Sequence, residues 1–359
     1  MICPKCKTEN QEPAKFCRQC GRDLTPSKSS FLGRHKWWFI SLFLLFIFFI
    51  LPIYFMSSLL GSLGKELAKS ESEETVISGF GEDKIALINI DGVIVEKESV
   101  GGLGAVAEEV TSARKIKKTL QQVARDPKVR ILVIRVNSPG GSAVASEEIY
   151  KELSDFKKRT GMKIVVYFSD IAASGGYYVS MAGDKIVANP SSITGSIGVI
   201  ISYLNFQDLA AKYGVEMIVY KSGPHKDIVS EFRKPTDEEK AIIQSVVSDS
   251  YDTFVKVVSQ GRGLDENQVR QLADGRIYSA KQAVGLKLID SMGTFEDAIT
   301  QAKNMAGISQ ASVVEFGKLG FFESLLGNFS GKFNLSLVPN FGNYFSAQPG
   351  PRVLYLYSP

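Results

Sequence analysis

Ile85-Ala-Leu-Ile-Asn-Ile-Asp-Gly-Val-Ile-Val95 is apolar, and mostly β-branched, at nearly every position. A strand with one wet face alternates apolar and polar residues, so an unbroken run is the pattern of a strand covered on both sides, at home in a largely parallel sheet. Downstream the same reading repeats. After a Gly-rich loop at 101–104, the apolar spacing of Val110, Ala113, Ile116, Leu120 and Val123 predicts a helix over 108–125, stopped by Asp126-Pro127. Strands are predicted at 129–137, 163–168, 184–188 and 215–221. Helices are predicted at 146–159, from near Ser174, at 204–213, and over most of 236–272 and 279–306. Strand and helix alternate, which gives an α/β domain over 84–306 with helices packed around a mostly parallel sheet.

Upstream of that domain, 58–83 is rich in Ser, Gly, Glu and Lys without apolar periodicity and reads as a linker. Before it, 37–56 carries no charged residue, and twenty helical residues at ~1.5 Å each span the ~30 Å hydrocarbon layer. We assign 37–57 as one transmembrane helix. A cleaved signal peptide is a poor alternative, because the preceding region is too long and no Ala-x-Ala site follows. Lys5, Lys7, Lys15, Arg18, Arg22, Lys28, Arg34 and Lys36 precede the apolar run, against Lys65 and Lys69 just after it. Positive charge collects on the cytoplasmic side, so the N-terminus is expected in the cytoplasm and the α/β domain outside a bacterial cell membrane. The tail at 307–359, rich in Phe, Leu, Gly and Asn, suits a membrane-facing surface or an arm packed on a neighbouring subunit. A net charge of +4 with no basic block argues against a nucleic-acid partner.

All four cysteines lie in the first 20 residues, as Cys3-Pro-Lys-Cys6 and Cys17-Arg-Gln-Cys20. Two Cys-x-x-Cys knuckles can close a tetrahedral thiolate shell around one structural Zn²⁺ with no open position. A ribbon over 1–24 has almost no core of its own, so metal binding is its natural source of stability. A reducing cytoplasm keeps those thiols free.

Three stretches carry hydrolytic chemistry. Ser174, in Ala173-Ser-Gly-Gly-Tyr177, stands at a strand-to-helix turn with Gly175 N–H and a helix start beside it, which suits a nucleophile; read locally, it suits an N-cap equally well. Gly140 and Gly141, in Asn137-Ser-Pro-Gly-Gly141, form a turn at a strand's carboxyl end where a second oxyanion donor is useful. A serine nucleophile needs a proton acceptor. His35 lies beside the apolar run, leaving His225 as the single imidazole for an external site, with Lys226 next to it in Lys221-Ser-Gly-Pro-His-Lys-Asp227. An ordinary lysine, with a pKa of about 10.4, costs about 4.6 kcal/mol to hold neutral at pH 7. Burial can supply that shift. Lys226 therefore serves as base only where it is desolvated; Lys221, at the end of the predicted strand, competes less well. Ser196, in Thr194-Gly-Ser-Ile-Gly198, offers a hydroxyl to orient the amine and reads at least as well as a plain turn serine.

Together Ser-Pro-Gly-Gly, Ala-Ser-Gly-Gly-Tyr-Tyr, Thr-Gly-Ser-Ile-Gly-Val199 and Lys-Ser-Gly-x-x-Lys-Asp resemble the signal peptide peptidase A family of bacterial membrane-bound Ser-Lys proteases over about 84–305. The resemblance implies a Clp protease/crotonase-like superhelix of ββα units. It also implies digestion of released signal peptides and other membrane-derived peptides, and homo-octamers whose site is shared between neighbouring subunits. Carried over by motif, Ser174 is the nucleophile, Lys226 the general base, Ser196 the lysine-orienting hydroxyl, and Gly175 with Gly140 or Gly141 the oxyanion donors. No catalytic cofactor is implied. The zinc ribbon departs from the usual pattern, and the final Leu-Tyr-Leu-Tyr-Ser-Pro359 resembles the family's ending. Two other readings remain: a crotonase-type acyl-CoA enzyme, and a non-catalytic membrane scaffold or adaptor.

Overall fold

The computed structural model describes residues 1–25, 43, 45–51, 55, 74–96, 110–317 and 353–357. Residues 1–71 and 72–359 form two separate units. In the larger unit the apolar run is strand β2 (Lys84–Val95), and its successive residues serve two cores. Ala86, Ile88 and Ile90 join one core with Leu132, Ile134 and Val136 of β4 (Val129–Ser142) and Ile164, Val166 and Phe168 of β5 (Ile164–Ala173). Ile85, Leu87, Ile131, Val133, Val165 and Tyr167 join the other. The pleat sends neighbours to opposite faces, and both faces are dry, so no polar alternation survives in the sequence.

Helices α1 (Ala113–Val123), α2 (Ala143–Thr160) and α3 (Gly175–Ser180) supply Ile116, Leu120, Ile149, Phe156 and Tyr178 to the first core. Beyond them come α4 (Gln207–Lys212), α5 (Asp237–Arg262), α6 (Glu266–Leu272), α7 (Ala280–Gly285) and α8 (Phe295–Ala306). Phe254 of α5 completes the first core, while Ala298, Ile299 and Ala302 of α8 close the second.

The sheet runs β1 (Thr75–Gly79), β10 (Ser312–Glu315), β2, β4, β5, β6 (Lys185–Ala188), β9 (Ser291–Met292), parallel except at the β1 edge. The three central strands extend past their main partners and each gains a short one. β3 (Val110–Ser112) pairs with the end of β2, β11 (Leu354–Leu356) with the end of β4, and β7 (Ile193–Gly195) with the end of β5 and also with β8 (Ile277–Ser279). Register shifts at Asp91/Val93 and Val136/Ser138 mark where β2 and β4 bend into these extensions. Ligands of open parallel sheets bind outside the strands' carboxyl ends, so the extensions mark the functional edge.

Several expectations need correction. The helix predicted from 108 starts at Ala113, because Val110–Ser112 is spent on β3 and Ser112 caps the helix by accepting from Lys115 N–H. Gly140 and Gly141 do not form a turn; they continue β4, and β5 likewise runs on to Ala173. No strand forms at 215–221, where the chain is exposed throughout. Its β-branched residues express fit to a half-buried surface, and no neighbouring strand supplies one. Domain edges move too: Thr75–Gly79 lies within the predicted linker and Ser312–Glu315 within the predicted tail, yet they pair with each other in the sheet. The transmembrane assignment at 37–57 falls mostly outside the described residues. Phe46–Ile50 is a π-helical turn, and among the described residues no helix is long and apolar enough to cross a membrane. Most of the tail, 318–352, also lies outside.

Candidate active site

Ser174 follows β5 and opens α3 with φ +52° and ψ −116°, a region that costs a residue with a side chain about 1–3 kcal/mol. Two neighbours impose it: Ser174 N–H donates to Gly195 O at 2.8 Å, and Ser174 O accepts from Tyr178 N–H at 2.8 Å. The side chain does not cap the helix. Ser174 is 1% exposed, and its hydroxyl meets no hydrogen-bond partner among the described residues. A strained backbone and an unpaired buried hydroxyl thus coincide at one residue at the carboxyl end of β5, and the hydroxyl is not spent on capping α3.

Ala173 pairs with Gly195, so Ser174 and Ser196 are the next residues along two adjacent parallel strands. Ser196 also has positive φ (+48°) and is 8% exposed; its N–H donates to Arg276 O at 2.8 Å. It lines a cavity of about 450 Å³ together with Val199, Tyr251, Asp274, Leu356 and Tyr357.

The glycine pair lies on β4, the strand beside β5. A Cβ on Gly140 would lie 2.0 Å from Tyr355 O and 2.6 Å from Gly175 N; one on Gly141 would lie 2.1 Å from Ile94 O. Both positions exclude any side chain, the first for the approach of a peptide carbonyl and the second for close packing on β2. Gly140 N–H donates to Ser138 Oγ at 3.1 Å, while that hydroxyl donates to Gly92 O at 2.6 Å. Ser138, fully buried, was not singled out from sequence, since it stands inside the motif as an ordinary turn serine.

The chain's own C-terminal strand occupies the groove. β11 runs antiparallel to β4 with Leu354, Tyr355 and Leu356 opposite Ser142, Gly141 and Gly140, and Tyr357 N–H donates to Pro139 O at 2.8 Å. On the other side Ile200 N–H and Leu354 N–H each donate to the other residue's carbonyl at 3.1 Å. The Tyr355 ring stacks on Tyr178 at 5.1 Å and lies 4.7 Å from Phe254, and its hydroxyl donates to Ser250 O at 3.0 Å. An extended peptide is thus bound by strand addition, side chain in an aromatic pocket and carbonyl at the glycines. The alternating Leu-Tyr-Leu-Tyr was the sequence signal for it.

Lys226 is not brought to Ser174 within the chain: it is exposed, on a turn between α4 and α5. Lys221 pairs with Asp227 at 2.7 Å. His225 lies 3.5 Å from Glu238 and 3.8 Å from Glu239. Beside this turn Tyr213, Val215, Met217, Ile218 and Tyr220 are exposed, Tyr220 to 96%.

In the separate N-terminal unit the two knuckles are closed by bridges between Ile2 and Glu9 and between Phe16 and Asp23. The sulfurs of Cys3, Cys6, Cys17 and Cys20 lie within 4.8 Å of one another, with Cys3 to Cys20 at 3.6 Å and Cys6 to Cys17 at 3.5 Å. A tetrahedron with ~2.3 Å zinc–sulfur bonds has edges of ~3.8 Å, so the donors fit the metal. Backbone N–H groups of Gln19 and Cys20 bring the Cys17 thiol down to about 6, favouring the thiolate ligand.

Residues 156–309 match peptidase family S49, and residues 2–24 match a zinc-ribbon domain. The chain is 41% identical over 259 residues to a protein of Enterococcus faecium described as a candidate signal peptide peptidase SppA, covering 72% of this chain and 74% of that one. It is 36% identical over 278 residues to a candidate protease of Methanocaldococcus jannaschii, covering 77% and 86%. To the chloroplastic serine protease SPPA of Arabidopsis thaliana it is 30% identical over 229 residues, covering 64% and 33%.

Proposed function

The chain belongs to peptidase family S49 and is a protease, and on that premise we propose a membrane-anchored serine endopeptidase in which Ser174 is the nucleophile and Lys226 of a neighbouring copy the general base. One observation carries the reading: a strained, buried serine with an unpaired hydroxyl beside a groove that already holds an extended peptide. Such a groove favours a peptide substrate over a CoA thioester or a purely adhesive role. The same family reading carries the Clp/crotonase-like ββα superhelix, and signal-peptide remnants and other membrane-derived peptides as substrates.

In the proposed reaction Ser174 Oγ attacks the peptide carbonyl carbon while its proton passes to the neutral Lys226 amine. The oxyanion is held by Gly175 N–H and a second N–H. Because Gly140 N–H is committed to Ser138 Oγ, we assign the second donor to Gly141. Collapse expels the amine product, which takes the proton from the Lys226 ammonium. Water, deprotonated by Lys226, then attacks the Ser174 ester, and as the C–Oγ bond breaks the Lys226 ammonium returns the proton to Ser174 Oγ and is neutral again. Ser196 faces the amine as its orienting hydroxyl. A second copy seated on the apolar surface around Met217, Ile218 and Tyr220 would desolvate the amine, and desolvation disfavours the charged form. We propose an octameric ring for this sharing. The ribbon's zinc, held by Cys3, Cys6, Cys17 and Cys20, supplies folding energy to a cytoplasmic module and takes no part in hydrolysis.

The test is peptide turnover by the full chain. Ser174→Ala and Lys226→Ala each lose activity by about 10⁴-fold or more. Mixed in equal amounts before assembly, the two dead variants regain roughly a quarter of wild-type turnover, because a ring pairs intact serines with intact lysines across interfaces. Normal turnover by Lys226→Ala ends the dyad assignment. Two dead variants that stay dead on mixing end the sharing.

A further inference from the structure

Arg233 joins two carboxylates, Asp227 on the irregular connection between α4 and α5 and Glu239 in the first turn of α5. Its Nε and Nη2 donate to the two carboxylate oxygens of Asp227 at 2.9 and 2.7 Å, and Nη2 also donates to the Asp227 carbonyl at 3.1 Å. Nη1 and Nη2 donate to the two oxygens of Glu239 at 2.7 and 2.5 Å. Glu239 is 2% exposed and is itself fixed in the first turn of α5. Its carboxylate accepts from Thr236 N–H at 2.9 Å, and its N–H donates to Thr236 Oγ1 at 3.2 Å.

Asp227 is the residue after Lys226. Between α4 and α5 the chain forms neither helix nor strand, and the turn's own backbone bonds are local: Lys226 N–H to Gly223 O at 3.2 Å, Ile228 N–H to His225 O and Ser230 N–H to Asp227 O at 3.1 Å. Such bonds shape a turn without fixing where it points. We propose that Arg233 is a positioning residue for Lys226, its guanidinium pinning the Lys226–Asp227 turn to the start of α5 so that the amine is presented at a fixed place to the neighbouring copy. This rests on the reading of Lys226 as the base.

The chemistry requires arginine. A planar fork of five donors can serve four carboxylate oxygens and a carbonyl at once, which an ammonium on a flexible stem does not. The charged and titratable groups around the turn are Lys221, His225, Asp227, Arg233, Glu238 and Glu239. Arg233, then Lys221, holds the Asp227 carboxyl far below the usual carboxylate range, and Arg233 holds Glu239 at about 2. The clamp therefore keeps its charges at every pH where an amine can act as a base.

Misplacing a catalytic group by about 1 Å can cost about a hundredfold in rate. In the assembled full-length protein, Arg233→Gln is expected to lower kcat by about 30- to 100-fold with KM within about threefold, and Asp227→Asn to act in the same direction. Arg233→Lys, keeping the charge without the fork, falls between. Because Arg233 acts through Lys226, adding Arg233→Gln to Lys226→Ala lowers the residual turnover by no more than about twofold. An Arg233→Gln enzyme with wild-type kcat, while Lys226→Ala is dead, overturns the clamp and leaves the base standing. Full activity in Lys226→Ala removes both. If Arg233→Gln loses activity only in step with its melting temperature while Asp227→Asn is silent, Arg233 serves Glu239 alone and the proposal fails.

Discussion

Ser174 and Lys226 are held in opposite ways. Ser174 is fixed by the sheet: strand pairing through Ala173 and Gly195, a backbone bond on each side of it, and backbone packed closely enough to exclude a Cβ at Gly140 and Gly141. Lys226 sits on an exposed turn that the side chains of Asp227, Arg233 and Glu239 tie to the start of α5, while further along Phe206 N–H donates to Glu231 O at 2.6 Å and ties the segment to the start of α4. One half of the site is finished within the chain. The proposed base is presented outward, where the proposed sharing between copies would complete the site.

A single carbon atom sharpens that contrast. In Gly141→Ala the new Cβ falls 2.1 Å from Ile94 O and 2.7 Å from Ile94 N, both backbone atoms of a central strand that cannot yield. The variant loses about a hundredfold or more in turnover as β4 shifts against β2 and carries the proposed donor with it, or fails to fold. Gly223→Ala, on the lysine's turn, meets nothing within 4 Å and keeps turnover within about twofold. Peptide hydrolysis and thermal melts of the two variants decide it: equal sensitivity at both positions would mean that the halves are held alike.

The same contrast separates what the sequence disclosed from what it did not. β2, β4 and β5 were legible because strands buried on both faces have no choice but continuous apolar runs, and Ser174 stood out as a candidate because of the small residues around it. The extensions were not. β3, β7 and β11 are three residues each, too short for any period to register, and the glycines of β4 read as a turn because glycine is permissive in turns and in close-packed strands alike. The segment at 215–221 misled in the other direction, its apolar residues being exposed in one chain. The Arg233 clamp lay beyond sequence reasoning, since Asp227 and Arg233 stand in a segment with neither helix nor strand, where no periodicity says which side chains meet.

The tail gives a smaller effect. If substrate takes the place of β11 along β4, as proposed, Val353 to Tyr357 competes with it at an effective concentration on the order of millimolar. Deleting residues 353–359 should raise the initial rate several-fold at substrate well below KM and leave the saturated rate nearly unchanged. Stability falls at the same time, because the Tyr355 ring leaves a core position between Tyr178 and Phe254. A rate unchanged at low substrate would mean that the groove empties without help.

Acid should act on one half only, and gently. Asp227 and Glu239 both have depressed carboxyl pKa values, the latter at about 2, through hydrogen bonds and charge from Arg233. A depressed carboxylate stabilises the folded state fully above its unfolded value, near 4, and loses that contribution as pH falls toward the folded value. The clamp therefore loosens between about pH 4 and pH 2, whereas Ser174 is held by backbone bonds that do not titrate. Amide hydrogen exchange, corrected for the intrinsic rate at each pH, should lose protection by roughly tenfold at Lys226, Ile228 and Ser230 from pH 4.5 to 2.5, with Ser174 and Tyr178 unchanged. A parallel loss in both segments would mean that the lysine's turn opens only when the sheet does, which makes the turn as much a product of the sheet as the serine is.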